Sequence, residues 1–421
     1  MAQFTTTVST GSSTTTSSTP TTKVTHTVTS PTSRTYIIFF SAEIISANTA
    51  TRCKVDLLVD GATVVTFSPR VMNNAEDDTI FFFERVTGKV SNFDCVIQFA
   101  STDNTNTVTI LNARIVAWDY TDVTGLDLQY NAADPNTTLP TSFDTTGATS
   151  TFTPGSQGNY FVLGCGAISP GSISEESIAR LGVDSAFFPF LTDTVSYWAR
   201  EAPAVVAAAY YSFAVGTRQN LTAASHTVRV SMRQETTGSL GSWRYTRVLA
   251  FREDAFTSSN YTSADTGAED ANTTTTYETR ATVTTTDPGV GAKDYLILAG
   301  QYIGQSGDTA EAERSQTHIR IDTVEQIMME YRPKDLTDHM DGTVAVMKNT
   351  ADAFTVDTQH RLQNDLDNTS QAKDSWIIIL RDDVVAGSVI KTIDTIAIAS
   401  VKTRDTIAIA SVKTVDTISN V

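Results

Sequence analysis

With 421 residues and a formal net charge of −17, from 30 basic against 47 acidic side chains, the chain is long enough for roughly two to four domains, each with its own core. The two signs are interspersed without a basic stripe, which argues against a nucleic-acid partner, and no run of about 18 apolar residues occurs, which argues against a membrane-spanning helix. Threonine is conspicuously abundant, and together with Val, Ile and Phe it favours strands, so the expected class is all-β.

Residues 1–22 are almost all Thr, Ser and Gly, a composition that cannot build a core of its own. The sequence predicts an extended Thr/Ser-rich arm over 1–33, disordered by itself and ordered by adding a strand to a neighbouring subunit, with Phe4 and Val8 as apolar anchors. Met1-Ala2-Gln3-Phe4 opens the chain with neither a basic nor an apolar leader region, so synthesis in the cytoplasm is expected.

Three landmarks then recur in the same order. The first is a tyrosine ahead of an apolar run: Tyr36-Ile-Ile-Phe-Phe, Tyr160-Phe-Val-Leu-Gly and Tyr295-Leu-Ile-Leu-Ala. Each run follows a Thr-rich alternating lead-in that ends at a proline: Pro31, Pro154 and Pro288. The second landmark is an apolar residue before aspartate, at Asp60, Asp184 and Asp322, 24, 24 and 27 residues after the tyrosine. In the first copy Asp60-Gly61 lies between β-branched runs, a strong hairpin signal. The third is Arg114-Ile-Val-Ala-Trp118, Arg247-Val-Leu-Ala-Phe251 and Trp376-Ile-Ile-Ile-Leu380, each followed by acidic residues. Period-two runs such as His226-Thr-Val-Arg-Val-Ser-Met232 lie between the landmarks and predict strands with one wet face, which places His226 at the surface or rim.

This repetition predicts three tandem jelly-roll-like β-sandwich modules over 34–122, 158–256 and 293–385, joined by linkers at 123–157 and 257–292. Residues 173–181 are read as a helical turn or two inside a loop. A tail over 386–421 carries an eleven-residue repeat: Ile390-Lys-Thr-Ile-Asp-Thr-Ile-Ala-Ile-Ala-Ser400, then Val401-Lys-Thr-Arg-Asp-Thr-Ile-Ala-Ile-Ala-Ser411, then a shortened copy. Thr, Ile and Val favour strands there over a coiled coil. Exposed, such strands would be sticky edges whose natural cover is another copy of the chain. Ile396, Ile398, Ile407 and Ile409 are the expected oligomerisation residues of a homo-oligomer, with a trimer as the expected state.

The run from His226 to Arg233, a Gly/Ser loop and Trp243-Arg-Tyr-Thr-Arg247-Val-Leu-Ala-Phe251 together resemble the jelly-roll modules of phage virion proteins, similar to the tumour-necrosis-factor and C1q type of sandwich. The tail resembles the short tandem repeats, of the form IKxxxxxAIAS, at the ends of some phage structural proteins, although its turn position holds Asp-Thr in place of Asn-Gly or Asp-Gly. The resemblance implies a structural protein of a bacteriophage particle, made in the host cytoplasm and displayed on the virion as a capsid decoration, head fibre or tail fibre component.

No GxSxG, phosphate loop or HExxH spacing is present, so no catalytic or cofactor-binding residues are expected, and no cofactor. Asp335, Asp338 and Asp341 with Gly342 make an oxygen-rich loop of the type calcium takes; the spacing is not that of an EF-hand, and a solvated loop is the plainer reading. Cys53, Cys95 and Cys165 read as buried free thiols, with a Cys53–Cys95 pair as the alternative. Asp77-Asp78, Glu175-Glu176 and Asp382-Asp383 are adjacent acids, which do not by themselves span a glycosidase cleft. Tyr197-Trp198 and Tyr210-Tyr211 are candidates for glycan contact or for core packing. The leading expectation is therefore a non-enzymatic virion component with other copies of itself, other virion proteins and a host surface glycan as partners. A cell-surface adhesin or filament subunit, and a carbohydrate-binding or glycan-cleaving protein, are the alternatives.

Overall fold

The computed structural model describes residues 3–382 apart from 31, 48–50, 70–76, 135–136, 140, 143–145, 170–175, 189–197, 202–208, 235–240, 257, 264–269, 287–290, 307–314, 332–338 and 364–368. Twenty-eight strands are described, with one short 3-10 turn at Glu253–Ala255. They form three pairs of antiparallel sheets.

The first module holds β1 Phe4–Ser9, β2 Ser13–Thr15, β3 Thr21–Val28, β4 Arg34–Ser46, β5 Cys53–Val59, β6 Ala62–Phe67, β7 Asp77–Lys89, β8 Phe93–Ser101 and β9 Val108–Asp119. One sheet runs β1-β9-β4-β7, with β2 also on β9, and the other runs β3-β8-β5-β6. The second module holds β10 Gln129–Ala133, β11 Thr137–Thr138, β12 Thr146–Phe152, β13 Gly158–Ser169, β14 Glu176–Val183, β15 Ala186–Phe188, β16 Trp198–Glu201, β17 Tyr211–Leu221, β18 His226–Gln234 and β19 Ser242–Arg252. Its sheets are β10-β19-β13-β17, with β11 on β19, and β12-β18-β14-β15, with β16 on β14. The third holds β20 Ser258–Ser263, β21 Asp270–Asn272, β22 Glu278–Thr284, β23 Lys293–Ser306, β24 Ser315–Ile321, β25 Val324–Tyr331, β26 His339–Thr350, β27 Thr355–Leu362 and β28 Thr369–Asp382. Its sheets are β20-β28-β23-β26, with β21 on β28, and β22-β27-β24-β25. The same jelly-roll connectivity is thus built three times.

The landmarks occupy equivalent places. Tyr36, Tyr160 and Tyr295 stand on β4, β13 and β23, opposite Asp119, Arg252 and Arg381 at the end of each module. Tyr36 packs on Phe93 with ring centroids 5.4 Å apart, and Tyr295 packs on Phe354 at 5.0 Å. In the second module His226 stands where the phenylalanine would, and Tyr160 instead meets Phe152 at 5.6 Å. His226, expected at the surface or rim, is buried at its edge, with Nδ1 2.7 Å from the half-exposed Asp184 carboxylate.

The three aspartates all turn hairpins. Asp60, Asp184 and Asp322 have φ of 54°, 53° and 50°, and their N–H groups donate to the carbonyls of Asp94, Thr227 and Thr355. Aspartate tolerates this left-handed conformation, and in the first copy Gly61, at φ 77°, supplies the second positive φ that a type I′ turn needs.

Three expectations are corrected. Residues 4–28 do not form an arm outside the sandwich: they are β1, β2 and β3 of the first module. Phe4 is fully buried against Trp118, and the Thr6 hydroxyl donates to Ile115 O at 2.8 Å. A segment too polar to make a core can still edge a sheet that others have built, because backbone pairing and one anchor suffice, and threonine suits a strand. The intervals 123–157 and 257–292 are not only linkers, since they contain β10–β12 and β20–β22, the opening strands of the second and third modules. The helical turn expected at 173–181 is strand from Glu176 onward.

Candidate functional site

The central strands of three of the sheets are buried on both faces. In β13, Tyr160 and Val162 face the interior of their own sandwich, while Phe161, Leu163 and Cys165 join a second core. In β23, Tyr295 and Ile297 face inward, while Leu296 and Leu298 join that same second core. Ile37 and Phe39 of β4 belong to it as well, so one apolar cluster draws on all three modules. Each such side chain contributes about 1.5–3 kcal/mol by leaving water.

The modules close around this core as a ring. The equivalent strands β7, β17 and β26 each pack against the other two. One position on the last strand of each module then reaches the preceding module. Arg247 of β19 reaches the first: its Nε and Nη2 donate to Glu84 Oε2 at 2.9 and 2.7 Å, and Nη1 donates to Asp134 in its own module. Tyr130 adds a hydroxyl to Glu84 Oε1 at 2.6 Å. Burial by itself would lower the Arg247 pKa, but Tyr130, Glu84 and Asp134 hold it above the ordinary value.

Trp376 of β28 occupies the same position and reaches the second module, with its ring 5.5 Å from Phe161. Glycines make room for it. A Cβ on Gly216 of β17 would come within 2.9 Å of the indole, and one on Gly300 of β23 within 2.6 Å.

Arg114 of β9 completes the circle by reaching the third module, with Nη2 3.4 Å from Gln326 Oε1 while Nη1 donates to Asn112 O at 2.7 Å. Beside it, Glu43 of β4 is fully buried. Its Oε1 accepts the Met328 N–H of β25 at 2.7 Å and the Asn112 amide at 2.8 Å. Burial, opposed in part by these hydrogen bonds, pushes its pKa up to about 7, and burial brings Arg114 down to about 10. The first and second modules, and the second and third, follow one another directly in the chain. The first and third are held by side-chain and packing contacts.

The sequence-derived candidates fall as follows. Asp341 lies on β26 opposite Tyr302, while Asp335 and Asp338 are outside the described residues. Ile396, Ile398, Ile407 and Ile409, with the whole tail from 383, are also outside them. Cys53 and Cys95 are free and buried, and burial pushes their thiols far up; Cys165 is buried as well. Tyr210 and Tyr211 are buried, and the Tyr210 carbonyl accepts the Ser68 N–H of the first module at 3.0 Å. Asp77 and Asp78 are buried on β7. Among the acids that close the modules, Asp119 pairs with Arg34 at 3.4 Å and Glu253 with Arg218 at 3.0 Å, a strand-end role.

Among the described residues no group of three or more His, Cys, Asp or Glu is placed to hold a metal ion. A shallow pocket of about 380 Å³ lies where β9 leads into β10, lined by Tyr120, Leu126 and Asp127 among others. The Asp127 carboxylate accepts hydrogen bonds from the Tyr160 hydroxyl and the Gln129 amide, which ties that lining into the module junction.

No protein-family model and no curated protein matches the chain. Among solved structures it is similar to a triple jelly-roll turret protein of an archaeal virus, at 10% identity over 85% of this chain and 82% of that one, with a TM-score of 0.21. It is also similar to PNGF-II, at 9% identity over 82% and 98% of the two chains, TM-score 0.27. A tandem CBM22 domain of Paenibacillus barcinonensis Xyn10C matches at 10% identity over 54% and 82%, TM-score 0.19. The jelly-roll description of this chain rests on its own strand order.

Proposed function

We propose that the chain is a non-enzymatic structural component displayed on the outside of a virus particle, with its three sandwiches acting as one block and its tail joining copies together. The observation that carries this reading is the shared core: one apolar cluster draws residues from all three modules. The ring of three jelly rolls is made within one chain. Contacts between copies then fall to the remaining self-complementary element, the Thr-Ile-Ala-Ile-Ala repeats of 390–421. The N-terminal segment is already used, since β1 pairs with β9 of the same chain.

The block also has two distinct ends. Strand register places Phe4, the junctions after Asp119 and Arg252, and Asp382 at one end of the modules. A capsid decoration, head fibre or tail fibre component fits such a block.

Electron microscopy of purified particles with antibody against residues 34–382 tests the reading. Regular labelling on the outside of the particle is expected. Absence of the chain from purified particles, or labelling of a cell envelope instead, would replace it with the adhesin alternative. Glycan release by the purified chain would replace it with the enzyme alternative.

A further inference from the structure

We propose that the contact between the first and third modules is the opening seam of the ring, and that Glu43 is its proton-controlled clasp. The inference rests on the ring contacts and not on the virion reading.

Of the three contacts, this one joins modules that are not consecutive in the chain, so it can part without stretching a junction. Its polar centre is a single carboxyl. Glu43 Oε1 receives two hydrogen bonds, from Met328 N–H and from Asn112, whereas Oε2 is buried with no hydrogen-bond partner. Arg114, the neighbouring cation, is directed to Asn112 O and Gln326. The equivalent positions elsewhere are apolar or aromatic: Ala167 on β13, and Tyr302 on β23, which packs into a cluster of second-module residues. A neutral carboxyl suits such a site, and an ionised one with a bare oxygen does not.

The charged groups around it give little relief. On β9 stands Arg114, which favours ionisation, and on β25 stands Glu325, which opposes it. On β7, Asp77 and Asp78 are buried opposite Ile45 and Ile44, beside Glu43 in the register. β26, which also packs on β4, carries His339, Asp341 and Lys348 along its length.

The sign follows from the raised pKa of Glu43, about 7, against the lower value of an exposed glutamate. The stabilising effect of the proton is full below the unfolded value and is lost as pH rises through about 7. The seam is therefore tightest in acid and loosens as pH rises toward neutrality.

Hydrogen exchange on the full chain reads this at the Met328 amide itself. After correction for intrinsic rates, protection of 324–331 is expected to fall about tenfold or more between pH 5.5 and pH 8.5, since the loss is roughly a factor of ten per pH unit between the unfolded value and about 7 and levels off above it. Strand β18 of the second module serves as the reference and should not change. In Glu43→Gln, which keeps an acceptor for Met328 but cannot ionise, the drop should vanish. If Glu43→Gln does not fold, the wild-type profile decides by where it levels off, expected near 7. A flat wild-type profile, an equal drop in Glu43→Gln, or an equal drop in β18 would overturn the proposal.

Discussion

Replacing Trp376 by alanine lowers the stability of the entire three-module block, by about 3–5 kcal/mol, the usual cost of truncating a fully packed tryptophan. The indole is 3% exposed, with Gly216 of the second module on one side and Gly300 of its own on the other. Truncation therefore leaves a hole at a junction between modules and not inside one sandwich. Neither glycine has a side chain that could fill it. Differential scanning calorimetry checks the prediction: a single transition should move down as a unit. Early melting of the third module, with the other two unchanged, would mean that the shared core does not couple them.

Arg247→Ala is expected to cost about 3–5 kcal/mol, because it strands the Glu84 carboxylate without its cation. The Arg247 side chain is 3% exposed and that of Glu84 15%, so water replaces little of what is lost. The double change Arg247→Met with Glu84→Met should recover most of the loss, since a well-packed apolar pair can substitute for a buried ion pair. Chemical denaturation of the two single variants and the double variant measures the coupling. Additive losses would show that the pair does not act as the contact described.

Much of the fold was legible. Tyrosine, aspartate and the closing five-residue run recur at near-constant spacing because each does a fixed job: packing on an aromatic, turning a hairpin, closing the sheet. The second buried face has a signal in the sequence as well, one that the expectation of three linked sandwiches left unused. Ile37 to Phe40, Phe161 to Leu163 and Ile377 to Leu380 do not alternate, whereas the run from His226 to Met232 does. A strand apolar at every position is buried on both faces. A single sandwich needs that for none of its strands, so the unbroken runs announce a second layer. What could not be read was which residues meet across that layer. Glu43 has no motif around it, and its character comes from Met328, 285 positions away in sequence. The opening strands of each module were misread for a different reason. Their Thr, Asn and Asp content matches that of loops, and only a neighbouring strand of the same sheet gives them a partner.

The central claim is that one chain makes a closed three-module ring and that the tail, not the sandwiches, joins copies. Analytical ultracentrifugation of the full chain beside a chain ending at residue 389 tests it most directly. The full chain should sediment as an oligomer, and the shortened one as a single folded chain. A shortened chain that keeps the mass of the full one would place the contacts between copies on the sandwiches and contradict the account.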